Sequence, residues 1–81
     1  MANMKKMELH GSFYRGLLSP GKKHSLLQCL TYKQYDEAIN MIADVATANQ
    51  LQIPFELIDP EDEETFKKDL YAFVHSMIQA K

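Results

Sequence analysis

Tryptophan is absent from this 81-residue chain, cysteine occurs once, and glycine and proline occur three times each. Each shortage excludes something. Without Trp, the large core groups have to be the four Phe and four Tyr, together with Leu, Ile and Met. The lone Cys29 rules out an internal disulfide and fits a reducing compartment better than secretion. Zinc spacings of the C-x2-C or H-x3-H kind are missing as well, so His10, His24 and Cys29 do not compose a metal site. No repeat, linker or low-complexity tract interrupts the chain. The basic start is not followed by the ~7–15 apolar residues of a signal peptide, and nothing approaches the ~20 needed to span a bilayer. The expectation is a single small globular domain over residues 1–81, cytoplasmic, with a core limited by its size.

What the chain does have is sorted charge. Residues 1–33 hold six basic side chains against Glu8, a net of +5, and residues 34–81 hold three against ten acids, a net of −7. The overall −2 therefore hides a dipolar molecule, with a field able to steer a partner or orient one copy against another.

Periodicity sets the expected elements. Phe66, Leu70, Phe73, Val74, Met77 and Ile78 fall at helical spacing, behind an acidic run suited to a helix N-terminus. That pattern predicts a helix over about 60–79, capped by Asp59 with Pro60 in its first position. A second helix carries Tyr35, Ala38, Ile39, Ile42 and Ala46, with Thr31 and Gln34 as its capping box and Asn49 as a left-handed terminator. Leu51, Ile53, Phe55 and Leu57 alternate with other residues, as a strand does, with Pro54 confining that strand to an edge. Ser19-Pro20-Gly21-Lys22 suits a type II turn between strands at Phe13–Leu18 and His24–Leu30. The rival for this region is a helix, since Met4, Met7, Gly11, Tyr14 and Leu18 recur at three and four, but Gly11 and Gly16 count against it. The fold expected is α+β: a three-stranded sheet with two helices packed on one face, in the order β-β-α-β-α. The alternative is an all-α small helical bundle.

Candidate chemistry is sparse. Gly16 to Lys23 matches a phosphate-binding loop except at its last position, where Lys23 replaces the hydroxyl that holds Mg²⁺. Arg15, Lys22, Lys23 and His24 form a possible anion or nucleic-acid contact, against the plainer reading of a solvated turn. Cys29 between leucines reads as a small core residue, His75 as a helix-edge residue, and Asp59–Glu64 as helix-start chemistry rather than a cation loop. No cofactor or metal is implied, and no acid–base pair has a spacing that secures catalysis.

The remaining signal is a surplus of apolar side chains. On strands, Phe13 and Tyr14, Leu17 and Leu18, Leu26 and Leu27, and Leu57 and Ile58 would point to opposite faces, and Met1, Met4 and Met7 have no assigned place. One small two-layer core cannot hide all of them, and surplus apolar surface marks a binding face. The expected function is a non-enzymatic protein–protein interaction module: a homodimer that binds or regulates another protein, with Tyr14, Leu18, Leu26, Leu30 and Ile58 at the interface. The alternative is a small nucleic-acid-binding regulator using the basic N-terminal half.

Overall fold

The hydroxyl of Ser19 decides the fold of the N-terminal half. It accepts the backbone N–H of Lys22 at 3.3 Å and caps a helix with Pro20 in its first turn. Pro at that position lacks only a donor that would have been orphaned anyway, and its fixed φ suits the helix. The segment read as a hairpin turn is therefore a helix start. In the computed structural model, which describes residues 2–79 with side chains from residue 6 onward, five helices succeed one another. They are α1 (Ala2–Ser12), α2 (Pro20–Thr31), α3 (Tyr35–Ala48), the single turn α4 (Phe55–Ile58) and α5 (Glu63–Ile78). No strand occurs among the described residues, so the expected α+β sheet is corrected to an all-α bundle. None of these helices is long and apolar enough to cross a membrane.

α1 packs more extensively on α5 than any other pair of elements. Met7 is buried there, and Gly11 explains how close the two helices come. A Cβ on Gly11 would collide with the Phe73 carbonyl oxygen and lie 2.9 Å from Ser76 Cβ. The glycine that argued against a helix is what lets this helix touch its neighbour. Past Ser12 the chain tightens into successive i→i−3 bonds, from Phe13 to His10, Tyr14 to Gly11 and Arg15 to Ser12. Gly16 then takes φ +83, a conformation that needs glycine. Tyr14 and Leu18, on the helical spacing of the rival reading, are buried, and the Tyr14 ring meets Phe73 edge-on at 5.1 Å. The side chains of Met1 and Met4 lie outside the described residues.

α2 buries Leu26, Cys29 and Leu30, and α3 buries Ala38, Ile42, Val45 and Ala46. Both helices end alike. Gln34 N–H reaches Cys29 O and Lys33 N–H reaches Leu30 O; Leu51 N–H reaches Ala46 O and Gln50 N–H reaches Thr47 O. These are paired six-to-one and five-to-two closures around left-handed Lys33 (φ 60) and Gln50 (φ 58). The terminator expected at Asn49 is thus one residue later, and Leu51 does fold back onto the helix end. The Thr31–Gln34 capping box does not form: Thr31 Oγ1 bonds back to Leu27 O inside α2, and Gln34 makes no side-chain cap.

The alternating run 51–57 has no strand to pair with. Residues 51–54 belong to neither helix nor strand and are held by Tyr14 OH donating to Gln52 O at 3.2 Å, and the chain then coils into α4 with Leu57 inward. α5 begins three residues later than expected. Asp62, not Asp59, is its cap: Oδ1 accepts Thr65 N–H at 2.8 Å and Oδ2 accepts Thr65 Oγ1 at 2.9 Å. Leu70, Phe73, Val74 and Met77 make α5 the central helix, contacted by α1, α2 and α4.

Candidate protein-interaction surface

Because α4 is a single turn with Leu57 inward, its other apolar residues face out. Ile58 is 60% exposed and Phe55 68%. Ile58 forms a ridge between two hollows. One, of about 460 Å³, is lined by Ile39, Asn40, Leu57, Pro60 and Phe66; the other, of about 330 Å³, by Ala43, Thr47, Leu51 and Ile53. A third hollow, of about 400 Å³, shares Pro60 and Phe66 with the first and continues towards Phe55 and Asp69. The α3–α4 face is therefore furrowed, largely apolar around Ile58 and acidic in the third hollow, and it lies in the acidic half of the chain, edged by Asp36, Asp59 and Glu61. A larger hollow than these three, about 570 Å³, is elsewhere, along α5 between Glu8 and the stacked Tyr71–His75 pair. Its lining mixes Lys67, Lys68 and His75 with Glu8 and leaves no buried polar group unpaired.

The carboxylates near α4 are not equivalent. Glu56 Oε2 accepts Lys6 Nζ at 2.8 Å, and that hydrogen bond holds its pKa below the ordinary glutamate value. Its Oε1 is shut away without a partner. The bond from Thr65 N–H lowers Asp62 in the same direction. Asp69 goes the other way. It is 2% exposed, its Oδ2 has no hydrogen-bond partner, and burial, with Glu56 nearby, raises its pKa.

Of the five residues expected at an interface, the structure leaves only Ile58 at the surface. Tyr14, Leu18, Leu26 and Leu30 are buried in the chain's own core. They were assigned outward because a strand sends neighbours to opposite faces, whereas a helix and a tight turn gather them inward. Burial also pushes the Tyr14 hydroxyl above its ordinary pKa. The exposed apolar set is instead Leu9, Phe13, Leu17, Leu27, Tyr32, Phe55, Ile58 and Tyr71.

The four basic residues also separate. Arg15 is tied to the end of α5: Nε donates to Ser76 O at 2.9 Å and Nη2 to Gln79 Oε1 at 3.2 Å. Lys22, Lys23 and His24 occupy the first turns of α2, with Lys22 and His24 exposed and Lys23 half-buried. Cys29 is buried, His75 is exposed, and among the described residues no three metal-ligating side chains lie close enough to hold an ion.

Sequence reasoning missed Asp69 and Glu56. Asp69 had a visible signal, since it sits at i+3 from Phe66 and i−4 from Phe73, inside the apolar stripe of α5. Comparison with protein-family models, with curated proteins and with solved structures found no match for this chain.

Proposed function

We propose that the chain is a non-enzymatic protein-interaction module that docks protein on the face around Ile58, and that its first partner is a second copy of itself. The observation that carries the reading is the exposed Ile58 ridge with a hollow on each side, in a molecule whose own core is filled without it. Exposed aliphatic ridges lose water on docking, and hollows beside them give the partner side chains somewhere to go. Charge favours self-pairing. The ridge is edged by acids, while exposed Leu17 and Leu27 belong to the half that carries +5. Basic and acidic halves of two copies complement each other in a two-fold pair. A cytoplasmic setting suits a lone, unbridged thiol.

Sedimentation of the chain at tens of micromolar tests the reading. A concentration-dependent dimer is expected, weakened by added salt and weakened about tenfold or more by Ile58→Asp. A monomer at every concentration, or a dimer indifferent to Ile58→Asp, removes it. Nucleic-acid binding through the basic half is the weaker reading, because Arg15, one of the four residues expected to contact phosphates, is already committed to α5.

A further inference from the structure

The hollow beside α4 holds the most unfavourable polar arrangement among the described residues. Phe55, Pro60 and Phe66 form its apolar lining, and Glu56, Asp59, Glu61, Asp62 and Asp69 supply its charge. Two of its carboxylate oxygens, Glu56 Oε1 and Asp69 Oδ2, are buried and accept nothing. A folded chain rarely leaves such atoms unmatched, because a buried carboxylate without donors has lost its water and gained no replacement. Lys6 Nζ and Thr65 N–H serve Glu56 Oε2 and Asp62, but no donor among the described residues serves these two oxygens.

The chemistry of the lining selects the donor. A bare metal ion is a poor fit, since no three ligating side chains come together among the described residues. An ammonium is compact and strongly hydrated, and it gains little from aromatic walls. A guanidinium is planar, carries five N–H groups in a fork, bridges carboxylate oxygens and stacks on rings. Phe55, largely exposed at the rim, and Phe66, half-buried, supply such rings. The chain's single arginine is Arg15, already bonded to Ser76 and Gln79, so a second copy has no free guanidinium to offer.

We propose that this hollow receives an arginine side chain from a partner protein, with the guanidinium pairing with the acidic lining at Glu56 and Asp69 against the Phe55 and Phe66 rings. The inference rests on the interaction-module reading and names the anchor carried by a partner other than a second copy. It also gives a role to Asp69, whose pKa is raised by burial and by the nearby Glu56. An arriving guanidinium adds positive charge beside it.

The test is a titration of blocked arginine (N-acetyl-arginine amide) into the isotope-labelled full chain, monitored by amide shifts. Saturable binding is expected with a dissociation constant on the order of 1 mM, ordinary for a ligand of this size. The shifts should centre on Glu56, Thr65 and Asp69. The blocked citrulline amide, which has the same shape without the charge, should bind at least about tenfold more weakly, and blocked lysine should fall between the two. Asp69→Asn and Phe55→Ala should each cost about tenfold. Phe55 is 68% exposed, so its removal leaves the core in place.

Three outcomes overturn the proposal: no saturable shift, equal binding of citrulline, or diffuse shifts that spermidine reproduces and salt abolishes. The last would be attraction to an acidic surface only. Ile58→Asp separates this inference from the docking reading. If the wild type pairs with itself yet ignores arginine, the anchor alone falls. If arginine binds and Ile58→Asp changes no association, the Ile58 face alone falls.

Discussion

α5 meets its neighbours in two junctions of opposite character. At the α1 junction the polar groups are matched: Ser76 Oγ donates to Glu8 O at 2.6 Å, Arg15 bonds Ser76 O, and Gly11 removes the one side chain that would hold the helices apart. At the α4 junction two carboxylate oxygens are buried with no donor, beside a hollow of about 400 Å³. Both are built on the same helix, about two turns apart at Asp69 and Ser76. The contrast separates what holds the bundle closed from what it keeps open. The first junction spends its polar groups on itself, and the second keeps its polar groups for something else.

Three substitutions break or sharpen that contrast. The largest effect is expected from Gly11→Val. Its branched side chain runs into the Phe73 carbonyl and Ser76, neither of which is a flexible tip, so the helices must separate. A loss of about 3 kcal/mol or outright unfolding is expected in urea titration. A loss under about 0.5 kcal/mol would show that the junction gives way freely.

Asp69→Asn comes next, with the opposite sign. The folded-state pKa of Asp69 is raised above the unfolded value of ~3.9. The folded state therefore holds the proton more tightly, so this group's contribution is most favourable at low pH and declines as pH rises from about 4 through the raised value. The variant should match the wild type near pH 3 and exceed it by about 1 kcal/mol at pH 7. Thermal melts across that range check it. A difference independent of pH would mean that Asp69 titrates alike in the folded and unfolded chain, and a wild type that gains on the variant as pH rises would mean that Asp69 is matched by a donor after all.

Lys6→Ala is the smallest. The Lys6–Glu56 pair is partly exposed, with 50% and 30% of its side chains accessible, so its loss should cost under about 1 kcal/mol. The same change should tighten blocked-arginine binding by removing a competing cation from Glu56. A weaker hold on arginine would place Lys6 among the groups that shape the hollow rather than among those that compete for it.

The sequence made some of this legible and hid the rest for physical reasons. α3 and α5 carry long stripes at a clear period, so their existence and most of their buried residues could be read directly. α1 and α2 carry short, interrupted stripes. There the helical spacing of Met7, Gly11, Tyr14 and Leu18 was visible, but glycine propensity outweighed it. Propensity describes an isolated helix, whereas Gly11 is chosen by its contact with Phe73 and Ser76, distant in sequence. Ser-Pro-Gly is ambiguous for a related reason: the same three residues suit a tight turn and a helix start, and only the segment after them distinguishes the two. The alternation from Leu51 to Leu57 is equally natural for a crossover lying against helices as for a strand. Treating those segments as strands also misdirected the expected interface, since four of its five residues are core. The unmatched oxygens of Glu56 and Asp69 depend on residues 50 positions apart, such as Lys6 and Glu56, and no local pattern announces them.

The sole thiol gives this bundle a clock of its own. Cys29 is buried on the inner side of α2, 8% exposed, where a sulfhydryl reagent has little access to it while that helix stays packed. The rate at which the native chain is alkylated therefore counts how often α2 comes away, without any label having to be engineered in.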